Sequence, residues 1–207
     1  LELNKLLYNI NKVPVIILSS LRTGSTALTY DIFQQLLTSY PSLKLFIEPG
    51  QPDSLASLIT SINNKDPYVL KLHAGDLIKS NTVKRRMVYS DIVKDVISEH
   101  NCCLIRIRRR DVIAQATSLY IAHQRKTYGY NQDTPYEKNV PNINIMQIHK
   151  INRTIQYFNK ILDEYPATFD LDLHYEDLVF SEKINSIKTP CPDNYSLTYK
   201  LLKHFYP

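Results

Sequence analysis

Val13-Pro14-Val15-Ile16-Ile17-Leu18-Ser19-Ser20-Leu21-Arg22-Thr23-Gly24-Ser25-Thr26-Ala27-Leu28 decides the fold. Its apolar first half predicts a short buried strand, its polar middle a tight loop, and the residues from Ser25 onward a helix. A loop of this kind turns backbone N–H groups toward one point, at the positive end of a helix dipole. Thr23, Ser25 and Thr26 add hydroxyl donors, Arg22 adds a forked cation, and Gly24 lets the backbone come close to a ligand. The segment is therefore a candidate phosphate- or sulfate-binding loop. The nucleotide-triphosphate pattern G-x-x-x-x-G-K-[ST] is absent, because the first glycine and the lysine are both missing. The competing reading is an ordinary strand–turn–helix junction in which Ser or Thr serves as N-cap.

Strand patterns recur at 14–19, 44–47, 68–73, 102–108 and 169–174. Several are nearly continuous apolar runs, as expected where helices cover both faces of a sheet. Helical spacing is expected at 25–39, 80–100, 111–125 and 143–165, with Asp111 well placed as an N-cap. Strands alternating with helices predict an α/β fold with a parallel sheet in three layers, α/β/α, over a single domain spanning 1–207. In such sheets ligands bind at the carboxyl ends of the strands. Arg22 follows the first strand, Glu48 the second, His73 closes the third, and Arg109 follows the fourth. The polar stretches 128–142 and 183–195 are expected to be irregular.

The chain has 207 residues and a formal net charge of +5, which suits an anionic ligand but is too small to demand nucleic acid. No apolar run reaches the roughly 18 residues of a membrane span. The first residues, Leu1-Glu2-Leu3-Asn4-Lys5, carry an acid and lack a signal-peptide core. The cysteines, Cys102, Cys103 and Cys191, are odd in number, so no disulfide framework is expected. These features together predict a reducing, cytoplasmic setting. No His or Cys cluster has zinc spacing, and no metal is expected.

Arg106-Ile107-Arg108-Arg109-Arg110-Asp111-Val112-Ile113-Ala114-Gln115-Ala116-Thr117-Ser118 is the second distinctive segment. On a strand, Arg106 and Arg108 share one face. Arg109 and Arg110 fall at the turn, and either meets Ser118 at one anion only if the chain folds back. A solvated basic surface is the plainer alternative.

Together the two segments resemble the sulfotransferases that use 3′-phosphoadenosine 5′-phosphosulfate. The wording is closest to the bacterial trehalose 2-sulfotransferase-like family, whose loop reads R-T-G-S-T and whose helix reads D-x-x-x-Q-A-x-S. Ile47-Glu48-Pro49 resembles that family's G-E-P, and Tyr175-Glu176-Asp177-Leu178 resembles its Y-E-D-L. These matches run from Val13 to Leu178. The resemblance implies a P-loop-like architecture and the phosphosulfate as co-substrate. It implies that Arg22, Thr23, Gly24, Ser25 and Thr26 hold the 5′-phosphosulfate, and that Arg109 or Arg110 holds the 3′-phosphate with Ser118. The acceptor is expected to be a carbohydrate or other small molecule rather than nucleic acid. Departures are the missing Gly before Glu48, Leu21 in place of a small or polar residue, and a tail at 189–195 without a Gln- and basic-rich segment.

Two residues compete as the base that takes the acceptor proton. Glu48 is taken as base in the family with the R-T-G-S-T loop. Lys71-Leu72-His73 resembles the K-T-H of cytosolic sulfotransferases, in which the His is the base and the Lys touches the sulfuryl oxygens. Arg22 is expected to stabilise the leaving 5′-phosphate. The alternatives are a P-loop-like kinase with an irregular loop, or a non-catalytic anion- or nucleic-acid-binding module built on Arg106–Arg110.

Overall fold

The computed structural model describes residues 10, 13–49, 52–77, 95–96, 101–125, 144–178, 199–200 and 203–204. In chain order these form β1 (Val15–Ser19), α1 (Ser25–Leu36), β2 (Lys44–Ile47), α2 (Pro52–Asn64) and β3 (Tyr68–His73), followed by a 3₁₀ turn (Ala74–Leu77). Next come β4 (Cys103–Arg108), α3 (Val112–Arg125), α4 (Ile145–Asp163), β5 (Leu171–His174) and a 3₁₀ turn (Tyr175–Asp177). All five expected strands are present, each beginning within two residues of its expected start. The expected helix at 80–100 and the irregular stretches at 128–142 and 183–195 lie outside the described residues, apart from helical Asp95 and Val96.

The five strands form one sheet in the order β2-β3-β1-β4-β5, and every pairing is parallel. β1 sits at the centre, flanked by strands reached through crossovers on either side. All five residues of β1 are buried, which explains its unbroken apolar run. Alternation splits its side chains between two cores. Val15 and Ile17 pack with Leu28, Ile32 and Leu36 of α1 on one face. Ile16 and Leu18 pack with Leu58 of α2 and Leu162 of α4 on the other. Helices therefore cover both faces of the sheet, an arrangement compatible with three α/β/α layers. Each such fully buried aliphatic side chain contributes about 1.5–3 kcal/mol. α3 packs on α4 through Leu119, Tyr120, Ile148, Ile151 and Ile155.

α3 starts as the sequence predicts, and α4 starts two residues later than the expected 143, at a cap the sequence reading did not name. Asp111 Oδ1 accepts from Ala114 N–H at 2.8 Å, capping α3. Asn144 Oδ1 accepts from Gln147 N–H at 3.1 Å, capping α4. α2 goes beyond the sequence expectation, although its signal is present. Pro52 opens it, Asp53 follows, and Leu55, Leu58 and Ile62 recur at helical spacing on its sheet-facing side. Cys102 is half-buried and Cys103 buried, and Asn152, the first residue of a glycosylation-like triplet in α4, is buried. No helix among the described residues is long and apolar enough to cross a membrane.

Candidate functional site

The loop between β1 and α1 is shaped by its backbone. Arg22 (φ 59°) and Gly24 (φ 71°) both lie in the left-handed region. Gly24 is the N-cap of α1, and no side chain caps the helix. The Ser/Thr N-cap reading of the junction therefore fails, and the first-turn N–H groups are not capped by a side chain at the loop mouth. Thr23 and Ser25 are buried and bond inward: Thr23 Oγ1 donates to the Ser20 carbonyl at 3.1 Å, and Ser25 Oγ accepts from Ser19 Oγ at 3.0 Å. Those two hydroxyls fix the loop, whereas Thr26 is exposed.

Strand register brings the candidate bases to this loop. Ile47 pairs with Lys71 across β2 and β3, and Ser19 pairs with His73 across β1 and β3. Lys71 and His73 share the α1 face, as strand alternation predicts. Glu48 lies just past β2 with φ 45°, a conformation that costs a non-glycine residue about 1–2 kcal/mol. Its N–H donates to the Lys71 carbonyl at 2.9 Å, which holds it against β3. The Glu48 carboxylate pairs with Lys71 Nζ and lies 2.8 Å from His73 Nε2. Lys71 Nζ also donates to Thr26 Oγ1 at 3.2 Å and lies 3.3 Å from His73 Nε2. On the far side of the ring, His73 Nδ1 lies 3.2 Å from Ser19 Oγ. Polar side chains thus run from α1 through β1 and β3 and back to α1.

Burial pushes the Glu48 carboxyl up, but its hydrogen bond to His73 and the charges of His73 and Lys71 outweigh that and hold it at about 2. Burial lowers the Lys71 ammonium against the raising pull of Glu48, and Arg22 lowers it further. Lys71 is only 1 % exposed, so its charge sits where water contributes little.

The second expected anion site adjoins the first. Arg22 Nε donates to Ser118 Oγ at 3.0 Å, across 96 positions of sequence. Arg109 Nη1 donates to the Arg22 carbonyl at 3.4 Å. Burial lowers Arg22, and the neighbouring Arg109 guanidinium lowers it further. Arg109 lies over the Tyr175 ring at 4.8 Å and lines a cavity of about 440 Å³ with Arg108, Val112, Asn159 and His174. Arg110 points elsewhere: it is exposed and forms a forked pair with Asp177, at 2.6 and 2.5 Å. Arg109, rather than Arg110, shares the site with Arg22 and Ser118.

No family model and no curated protein matches the chain. Functional weight therefore rests on the geometry. Arg22, Lys71 and Arg109 come from three neighbouring strands or the turns after them: Lys71 reaches Thr26 of α1, Arg22 reaches Ser118 of α3, and Arg109 reaches the Arg22 carbonyl. Lys71 is buried and paired with Glu48, whereas Arg22 and Arg109 are half-buried, and two guanidinium groups so close suit an anion.

Several participants carry no signal in the sequence. Ser19 is the last residue of an apolar strand, and its contact with His73 exists only through register. Gln115 has a faint one, its place in the Q-A-x-S wording. Its Nε2 donates to Ser20 Oγ at 2.6 Å and to the Leu21 carbonyl at 2.5 Å, tying α3 to the loop. The charges of Arg106 and Arg108 pair with Asp163 and Asp172.

Proposed function

We propose that this chain is a sulfotransferase of P-loop-like architecture that moves a sulfuryl group from 3′-phosphoadenosine 5′-phosphosulfate to a hydroxyl of a carbohydrate or other small acceptor. One observation carries the reading. The two anion subsites expected from separate sequence segments meet at Arg22–Ser118, with Lys71, Glu48 and His73 alongside at the ends of adjoining strands. The donor set fits the co-substrate. The N–H groups of the first turn of α1, with Thr26 and Arg22, suit the 5′-phosphosulfate, and Arg109 with Ser118 suits the 3′-phosphate.

The co-substrate supplies the sulfuryl group and leaves as adenosine 3′,5′-bisphosphate. The protein's work is positioning and electrostatics. Arg22 lies between the two subsites and stabilises charge that builds on the leaving 5′-phosphate. Lys71, held by Thr26, presents an ammonium toward the sulfuryl oxygens. The acceptor oxygen forms its new bond to sulfur while its proton passes to the Glu48–His73 pair. His73 Nε2 and the Glu48 carboxylate are 2.8 Å apart, so a proton taken by one is within hydrogen-bonding reach of the other.

Calorimetry with adenosine 3′,5′-bisphosphate, AMP and ATP tests the reading. A charge-assisted contact to the 3′-phosphate is worth about 1.5–3 kcal/mol, so the bisphosphate is expected to bind about 10- to 100-fold tighter than AMP. Equal affinity sinks the proposal. Binding of ATP that requires magnesium, with no such preference, points instead to a kinase.

A further inference from the structure

The turn that carries Arg109 is gripped by another three-residue turn, Tyr175-Glu176-Asp177, which follows β5. Glu176 Oε2 accepts from Arg110 N–H at 3.1 Å, and Oε1 accepts from Asp111 N–H at 3.2 Å. Asp177 holds the Arg110 guanidinium, and the Tyr175 ring lies beneath the Arg109 guanidinium. The three consecutive residues thus hold the backbone and both arginine side chains of the Arg109-Arg110-Asp111 turn.

The grip on Arg109 itself is loose. Its Nε lies 3.8 Å from Glu176 Oε1, and that buried nitrogen has no hydrogen-bond partner among the described residues. Both Glu176 oxygens already accept backbone N–H groups, and an aromatic face orients a cation without neutralising it. Arg109 is therefore aimed at the Arg22–Ser118 contact with its charge incompletely matched.

We propose that Tyr175 and Glu176 are positioning residues that set the affinity and 3′-phosphate selectivity of this anion site. Glu176 acts through the backbone of the Arg109 turn, and Tyr175 acts through the ring under its guanidinium. The inference rests on the reading that Arg109 and Ser118 take the 3′-phosphate. A counter-charge role for Glu176 gives the opposite sign, since deleting a negative charge beside a cationic site tightens anion binding.

The test is calorimetry on the full chain with adenosine 3′,5′-bisphosphate, AMP and inorganic sulfate. The proteins compared are wild type, Glu176→Ala, Tyr175→Leu and Tyr175→Phe. Glu176→Ala and Tyr175→Leu are expected to cut the bisphosphate-over-AMP preference by about tenfold while AMP affinity holds, and Tyr175→Phe is expected to keep it. A merely structural role lowers the melting temperature and leaves that ratio unmoved, which overturns the inference. Tighter bisphosphate binding by Glu176→Ala overturns it too. If Glu176→Ala does not fold, the contrast between Tyr175→Leu and Tyr175→Phe decides alone. A wild type with no preference removes the sulfotransferase reading but not the grip, which sulfate then tests. Weaker sulfate binding by Tyr175→Leu keeps the grip, and equal binding, or none by wild type, overturns it.

Discussion

Arg106 and Arg108 on β4 and the pair Arg22 and Arg109 at the strand ends are the same chemical group in opposite electrostatic circumstances. Arg106 is paired across the sheet with Asp172, donates to the Leu162 carbonyl at 3.0 Å, and stacks on Phe169 at 4.5 Å. Arg108 bonds Asp163 at 2.9 Å and Asp172 at 2.8 Å. Each has a carboxylate within hydrogen-bonding distance. Arg109 Nη1 donates to the Arg22 carbonyl, and Glu176 Oε1 stands 3.8 Å from Arg109 Nε. The first pair is an internal salt-bridge network that closes the sheet edge against α4. The second is a concentration of positive charge suited to an anion. A basic run in a sequence is thus two structural things, divided by strand alternation and by where the acids fall.

The largest expected contrast is catalytic. Arg22→Ala is expected to lower turnover by about 100- to 1,000-fold under saturating co-substrate, the usual cost of one donor to a developing charge. Arg106→Ala is expected to leave turnover within about threefold, because its partners are structural. Similar losses in both, measured at a temperature where both are folded, would erase the distinction between the two arginine pairs.

The base sharpens the same site. Glu48→Gln is expected to bind co-substrate normally and to lose about 100- to 10,000-fold in transfer rate, with a smaller loss for His73→Asn. A carboxylate whose folded value is about 2 stays ionised from pH 4 to pH 9, so Glu48 gives turnover no acid limb in that range. A crippled His73→Asn with a healthy Glu48→Gln moves the base to the imidazole.

A smaller contrast separates neighbours. Arg109→Ala is expected to weaken adenosine 3′,5′-bisphosphate by about 10- to 100-fold relative to AMP, and Arg110→Ala by less than about threefold. Calorimetry that ranks Arg110 first reverses the assignment.

The smallest effect lies in the salt-bridge network. Asp172→Asn is expected to cost about 1 kcal/mol at pH 7, a fall of about 2–4 °C in melting temperature, with nucleotide affinity unchanged. Burial raises the Asp172 carboxyl, but Arg106 and Arg108 outweigh it and hold it below its ordinary value. Its contribution is therefore present above the unfolded value near 3.9 and fades as the pH falls through the lower folded one. A stability gap between wild type and Asp172→Asn that persists at the lowest pH assigns it to packing instead.

The strands were legible because a buried parallel strand is mostly apolar, and Val15–Leu18, Tyr68–Leu70 and Leu104–Ile105 supply such runs locally, although Lys71 interrupts β3. The start of α3 was legible for the same reason, since a cap is a contact between residues three apart, whereas the Asn144 cap of α4 lies inside the expected helix and was missed. The strand–loop–helix junction was legible from glycine and hydroxyls next to an apolar strand. What sequence could not divide was the labour within it. Thr23 and Ser25 have the same hydroxyl chemistry as Thr26, yet they bond inward while Thr26 meets Lys71.

By itself, then, the sequence determined the alternating elements, the parallel sheet and the strand ends at which the chemistry-bearing residues gather. Tertiary structure decided which of them meet. Register set Ser19 beside His73 and Glu48 beside Lys71, the fold-back of α3 brought Ser118 to Arg22, and Asp177 drew Arg110 away from the site that Arg109 shares. The physical reason is range: periodicity and caps act over a few residues, whereas charge pairing depends on distances that only the packed sheet brings down to a few ångströms.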